Sequence, residues 1–194
     1  MAFTEVRIAN ETETRARDPV CYSEWGRPLT PEQFEKRELT LRAHPWAKAR
    51  MQTWILRDPH AGRTGTSCET FCMDSRATNA RGHTYGIASV FTDSNLRGHG
   101  LAGKLLTGVA AQLKTTDPLL QALILFSDVG VKIYARLGYQ PLPSFDWIWT
   151  VGEHTEPLPR IQTVTREQLL DTRLAAEFDA SFSVLPALAQ LDWH

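Results

Sequence analysis

One short segment, Arg97-Gly98-His99-Gly100-Leu101-Ala102, constrains this chain more than any other. Before it lies Tyr85 to Thr92, which reads as a strand; after it lies Leu101 to Leu113, whose apolar spacing reads as a helix. A strand, a glycine turn and a helix start are therefore expected in succession. The first N–H groups of a helix have no intrahelical partner, and the helix dipole adds partial positive charge there. Gly98 and Gly100 permit positive φ and close backbone approach. A pyrophosphate group is the natural ligand of such a junction.

The spacing excludes a Walker A loop. By letters, Gly98, Gly100 and Gly103 satisfy GxGxxG. A dinucleotide fold, however, needs an acidic residue that ends the following strand. Asp117 stands instead before Pro118 and ahead of a strand, and Arg97 has no role in that scheme.

A second motif lies downstream. Leu123 to Phe126 is a short apolar run, read as a buried strand. In the segment that follows, Ile133 and Leu137 share a helical face, and Gly138 suits the residue that stops the helix. The pattern Arg97-x-x-Gly100-x-Ala102 resembles the coenzyme A loop of the GCN5-related N-acetyltransferases, the GNAT superfamily. Ile133-Tyr134-Ala135-Arg136-Leu137-Gly138-Tyr139 is similar to the aromatic segment that follows that loop in those enzymes. Ser67 to Phe71 (SCETF), Gly86 to Phe91 (GIASVF) and Leu125 to Gly130 (LFSDVG) narrow the resemblance to the GNAT domain of fungal lysine N-acetyltransferases, which acetylate the side-chain amine of free L-lysine. Trp25 to Thr30, Phe34 and Arg37-Glu38 are similar as well. The resemblance covers residues 5 to 150. Members of that subfamily usually carry a further C-terminal domain, so whether the chain is a complete protein stays open.

The resemblance implies an α/β (α+β) fold, with a mixed, mostly antiparallel central sheet flanked by helices and a short C-terminal helical extension. It implies an enzyme that takes acetyl-CoA as acyl donor and lets a primary amine attack directly in a ternary complex. Arg97, Gly98, His99, Gly100, Leu101, Ala102, Gly103 and Lys104 would hold the coenzyme, largely through backbone. Arg97 would anchor the loop or reach phosphate, and His99 would face solvent. Backbone N–H groups of Val90, Phe91 and Thr92 would polarise the acetyl carbonyl, as an oxyanion hole does. Ser127 would bond the pantetheine arm or cap the next helix. Tyr134 stands where these enzymes aim a tyrosine at the thioester sulfur, and a phenol is protonated at neutral pH and able to donate.

The proton acceptor is less defined. An alkyl ammonium must lose a proton before it attacks. Glu69, on the strand beside the expected acetyl site, is favoured over Asp93 and Asp128. A free amino-acid acceptor would also want an arginine fork for its carboxylate, and Arg27 and Arg37 are the candidates. Another small-molecule or peptide amine, and a non-catalytic acyl-CoA-binding module, remain alternative readings.

Composition narrows the partners. The 194 residues carry a net charge of −1, which offers no basic field for nucleic acid or an anionic membrane. No apolar run approaches a spanning helix, and the N-terminus lacks the apolar core of a secretory signal. Cys21, Cys68 and Cys72 read as reduced thiols of a cytoplasmic protein. Cys68, Cys72 and His83 lack a well-spaced fourth ligand, so no metal is expected.

The expected layout is a GNAT domain over residues 1–151, then a linker and C-terminal extension over 152–194. Strands are expected at 4–9, 53–57, 67–74, 84–92, 122–127 and 145–151. Helices are expected from Thr30-Pro31-Glu32-Gln33 to about His44, at 101–114 and 129–137, and from Thr165 to about Asp179. Residues 18–29 and 76–83 read as loops, and Pro186 as the end of regular structure. Phe145, Trp147 and Trp149 alternate and would share one strand face. The tail after Thr165 would pack on the domain or across a homodimer.

Overall fold

Asn10 starts the first helix. Its side chain accepts from the Glu13 N–H, and the Glu13 carboxylate accepts in return from the Asn10 N–H, a capping box. Helix α1 (Glu11–Trp25) follows, with Pro19 inside it. The computed structural model describes residues 2–78, 80–143, 165, 168, 181–185 and 187–193. The expected loop over 18–29 is therefore corrected: its first eight residues are helical, and only Gly26 to Thr30 form a turn. Thr30 and Gln33 make a second capping box ahead of α2 (Pro31–Ala43), and Pro45 begins α3 (Pro45–Arg50) instead of merely interrupting α2.

Five strands form a path in the order β1 (Glu5–Ile8), β2 (Met51–Asp58), β3 (Arg63–Ala77), β4 (Ala80–Thr92) and β5 (Leu120–Leu125). All neighbours are antiparallel except β4 and β5, which run parallel. The expected loop at 76–83 is also corrected. β3 runs to Ala77 and β4 restarts at Ala80, so the polar residues between Asp74 and Arg81 pair across a tight turn. Beyond the end of β2, Asp74 to Ala77 pair with β6 (Phe182–Leu185). Regular structure continues past residue 186 as α6 (Leu188–Leu191), contrary to the expectation that Pro186 ends it. The helix α4 (Leu101–Thr116) returns the chain from β4 to β5, and α5 (Val131–Ala135) follows β5. The mixed, mostly antiparallel sheet is thus present. The strand expected at 145–151, with Phe145, Trp147 and Trp149, lies outside the described residues, as does the linker over 152–160; of the helix expected from Thr165 only residues 165 and 168 are described.

The core forms between α4 and one face of the sheet. Leu105, Leu106, Val109 and Leu113 of α4 are almost fully buried against Trp54, Leu56, Cys68, Tyr85 and Ile87. Each such side chain contributes about 2 kcal/mol. Gly108 lets α4 approach β1: a Cβ there would lie 2.7 Å from Val6 Cγ2 and 2.9 Å from Val6 Cβ. Alanine would improve helix propensity by about 1 kcal/mol, but the overlap costs about 1–3 kcal/mol. Gly108→Ala should therefore lower the urea midpoint despite the better helix former.

On the other face lie α1, α2 and α3. Burial pushes the Cys21 and Cys68 thiols up to about 12, so neither is a nucleophile at neutral pH. Cys72 packs against the edge of the core that holds Cys68; its sulfur, a His83 ring nitrogen and an Asp117 carboxylate oxygen lie within 4.8 Å of one another. Asp117 binds His83 Nδ1 at 2.7 Å and accepts from the Tyr85 hydroxyl at 2.9 Å, which ties β4 to the turn after α4. No helix among the described residues is long and apolar enough to cross a membrane.

A surface ion pair offers a pH test of the β1–α1 joint. Arg7 reaches Glu13 with two nitrogens, at 2.8 and 2.6 Å. The Arg7 hydrogen bond, chiefly, holds the Glu13 carboxyl down at about 2. The folded value lies below the unfolded one, about 4.3. The stabilisation is therefore fully present above that value and is lost as the pH falls towards 2. Glu13→Gln should cost about 1 kcal/mol at pH 7, allowing for partial exposure. The gap between the two urea midpoints should shrink at pH 3.

Candidate active site

The glycine segment has the shape its sequence requires. Gly98 and Gly100 hold φ values of 81° and 72°, and nothing lies within 4 Å of where a Cβ would stand at either. The space above them is open, so glycine is needed there for conformation. Gly100 is the N-cap of α4 and makes no side-chain capping bond. The N–H groups of Leu101, Ala102 and Gly103 thus begin a 16-residue helix whose first turn no side chain caps. Lys104 follows in the first turn of α4. Its N–H donates to the Gly100 carbonyl at 3.1 Å, and its ammonium reaches the Phe3 carbonyl. Its backbone amide belongs to the helix ladder, and its exposed side chain is tied to the Phe3 carbonyl.

Arg97 anchors the loop. Its Nε donates to the Thr92 carbonyl at 3.1 Å and its Nη2 to Glu24 Oε1 at 2.6 Å, while the guanidinium lies over Phe91. The His99 ring is exposed, with Nδ1 beside the Leu96 and Arg97 carbonyls. It fits the solvent-facing position expected of it.

β4 then parts from β5. Their pairing ends at Ile87 and Leu125, whereas β4 continues to Thr92. On its other edge β4 stays with β3, but through a bulge. Glu69 lies opposite Ala88 and Ser67 opposite Phe91, so Ser89 and Val90 face the single residue Cys68. Ser89 adopts φ 52°, a left-handed conformation that costs a serine about 1–3 kcal/mol. Val90 to Thr92 follow on the stretch without a β5 neighbour, where the carbonyl-polarising amides are expected. Thr66 Oγ1 donates to the Phe91 carbonyl at 2.7 Å, which steadies this end.

A residue the sequence did not single out organises the bulge. Arg17 of α1 is 6% exposed. Its Nε donates to Ser67 Oγ at 3.0 Å, Nη1 to Glu69 Oε1 at 2.7 Å and Nη2 to the Ser89 carbonyl at 2.8 Å. Glu69 is thus a buried, paired carboxylate and not an outward strand residue. Burial pushes its carboxyl above the usual range, while the Arg17 charge and a hydrogen bond to Ser89 pull it back part of the way. One helix face serves both parts of the site: Arg17 grips the bulge, and Glu24, two turns on, grips Arg97.

A cavity of about 660 Å³ opens where β4 and β5 separate. Gly86 to Ser89 and Ile124 to Phe126 form its floor, and Glu69, Glu38 and Arg37 its polar wall. Trp46, Phe71 and Trp193 form an aromatic wall, with the Trp193 ring centroid 5.1 Å from each of the other two. Trp193 Nε1 donates to the Leu41 carbonyl, which fixes the ring in place. Arg37 lines the cavity, and its fork holds Glu38 Oε1 at 2.7 and 3.1 Å; Arg27, the other carboxylate candidate, is not among the lining residues. Asp93 caps the short turn after β4 by accepting from the Asn95 N–H, and Asp128 is exposed; neither lines the cavity.

Ser127 and Tyr134 stand on the β5 side. Ser127 Oγ accepts from the Val129 N–H at 3.3 Å, a local turn bond; it does not cap α5, whose N-cap is Gly130 without a side-chain capping bond. Tyr134 lies on α5, packs on the core and meets Tyr139 edge-on at 6.0 Å.

The chain resembles known acetyltransferases in sequence and in fold. It is 25% identical over 169 residues to a lysine acetyltransferase of Yarrowia lipolytica, across 74% of this chain and 42% of that protein. The chain therefore matches less than half the length of that relative. Its fold matches an acetyltransferase of Trypanosoma brucei with a TM-score of 0.56 and 18% identity, covering 75% of this chain and 99% of that one. A predicted acetyltransferase of Clostridium acetobutylicum, crystallised with acetyl-CoA, matches with a TM-score of 0.53 and 17% identity, over 77% and 99% of the two chains. No family model matches the chain. The fold is shared with these solved acetyltransferases.

Proposed function

We propose that this chain, which has the fold of the GNAT acetyltransferases, moves an acetyl group from acetyl-CoA to the primary amine of a small molecule of amino-acid type. One observation carries the reading: the uncapped start of α4 and the open end of β4 are tied together by Arg97, beside the parting of β4 and β5 where the cavity opens. The residues fit the coenzyme. Two positive-φ glycines with open space above them, and a helix start without a capping side chain, suit a pyrophosphate. Acetyl-CoA, when bound, supplies the thioester carbonyl that the amine attacks.

The chain's own groups divide the remaining work. Backbone amides near Val90 to Thr92 stabilise negative charge on the carbonyl oxygen. Glu69 takes the ammonium proton, directly or through water, since burial makes it a stronger base than an exposed carboxylate. Tyr134 donates to the departing sulfur. The buried thiols take no part, so no covalent enzyme intermediate is needed. The cavity volume falls in the range of small-molecule sites. Arg37 and Glu38, adjacent and opposite in charge on its wall, suit the carboxylate and ammonium of a free amino acid. Free L-lysine is the specific candidate, in keeping with the name of the Yarrowia lipolytica relative.

A second reading follows from coverage. The match spans 42% of that relative, which favours an acceptor site that further residues complete. The test is thiol release from acetyl-CoA by the purified chain with L-lysine and a panel of other amines. Lysine-dependent release supports the specific reading; release with another amine keeps the reaction and changes the acceptor. Thermal stabilisation by acetyl-CoA without release from any amine supports the second reading. Absence of both binding and release overturns the proposal.

A further inference from the structure

We infer that Arg17 is a positioning residue that holds the β4 bulge in the shape the acyl-transfer site requires. The inference builds on the acetyltransferase reading and adds a residue that the sequence motifs do not contain. Three acceptors from two strands converge on one buried guanidinium: Ser67 Oγ at 3.0 Å, Glu69 Oε1 at 2.7 Å and the Ser89 carbonyl at 2.8 Å. Ser67 and Glu69 flank the β3 residue opposite the bulge, and Ser89 is the residue within it that holds φ 52°. A serine rarely keeps that conformation unless its surroundings impose it. The bond to its carbonyl imposes it here.

The next residues, Val90 to Thr92, carry the amides assigned to the carbonyl. A relaxed bulge would rotate those peptide planes away from the acetyl group. Misplacement by about an ångström can cost on the order of 100-fold in rate. Arg17 does not line the cavity, so it acts through Ser89 and Glu69 and not by touching substrate. Arginine suits the task because its planar fork spans separated acceptors; lysine offers one compact charge.

Three variants and one turnover-free readout test this. Arg17→Lys keeps a positive charge near Glu69 but cannot span all three acceptors. It should lower kcat roughly 10- to 100-fold with the acetyl-CoA KM little changed. Arg17→Met should lower it further. Adding Ser89→Gly to Arg17→Met supplies a residue that adopts positive φ without a clamp, so the double variant should turn over several-fold faster than Arg17→Met alone. Wild-type kcat in Arg17→Lys, or no gain from Ser89→Gly, would overturn the inference. Hydrogen exchange of the amides of residues 88–92 needs no activity: faster exchange in Arg17→Lys supports the clamp, and unchanged exchange rejects it. If the wild type shows no turnover with any amine, acetyl-CoA binding decides the functional reading, and exchange alone decides the role of Arg17.

Discussion

Tyr134→Phe should slow turnover on the order of 100-fold or more, while the affinity for acetyl-CoA stays within about twofold. The expectation comes from the separation of jobs in the site. In the proposed reading, coenzyme binding falls to the backbone at Gly98 to Gly103, on the turn that leads into α4, and the donor to the departing sulfur is the Tyr134 hydroxyl. Tyr134 lies on α5, which follows the other strand of the parting pair. Its ring packs on the core and against Tyr139, contacts that phenylalanine keeps. Only the hydroxyl is lost, and with it the donor for the departing sulfur. A thiol-release assay under saturating acetyl-CoA, paired with a direct binding measurement, separates the outcomes. Unchanged turnover would make Tyr134 a core tyrosine only. Equal losses in turnover and binding would make its ring a support of the coenzyme loop.

The shape of the glycine turn before α4 was legible in sequence because its determinants are local. Gly98 and Gly100 sit between a strand and a helix, and their φ values of 81° and 72° are what that junction demands. The Thr30 and Gln33 capping box read correctly for the same reason. α1 was missed. Pro19, Gly26 and Pro28 are turn formers and read as a loop, and the Asn10-x-x-Glu13 box that begins the helix was not recognised. Arg17 had no readable role, since its three partners lie 50, 52 and 72 residues away. No local pattern encodes such a contact. The bulge at Ser89 was equally hidden, because a serine at positive φ is dictated by tertiary bonds and not by propensity. The polar run from Arg76 to His83 read as a loop. It forms strands because β4 and the distant residues 182–185 pair with β3 there. Glu69 was singled out as the favoured proton acceptor, but its pairing and burial were not legible, because they depend on Arg17 of α1, the element that was missed.

That burial makes Glu69→Gln the sharpest test of the acceptor half. Turnover should fall by roughly 100- to 10,000-fold, the range for loss of a general base, and stability at pH 7 should hold or rise. The two effects share one cause. Burial pushes the Glu69 carboxyl above its ordinary value, and Arg17 offsets that shift only in part. A folded value above the unfolded one means that the protonated form fits the fold better. The stability it contributes is fully present below the unfolded value, about 4.3, and is lost as the pH rises through the folded value. Glutamine has the shape of the protonated acid and keeps that contribution at every pH, while Arg17 retains its bonds to Ser67 and Ser89. Removing a structural ion-pair partner predicts the opposite, a loss of about 3–5 kcal/mol from the unpaired buried charge. Melting temperatures at pH 5 and pH 8 decide between them: the wild type should lose stability relative to Glu69→Gln as the pH rises. The rate should agree, with the acidic limb of the wild-type kcat profile absent from the variant's residual activity. A variant that is destabilised yet keeps its turnover would assign Glu69 to architecture alone and return the proton to a bound water or another base.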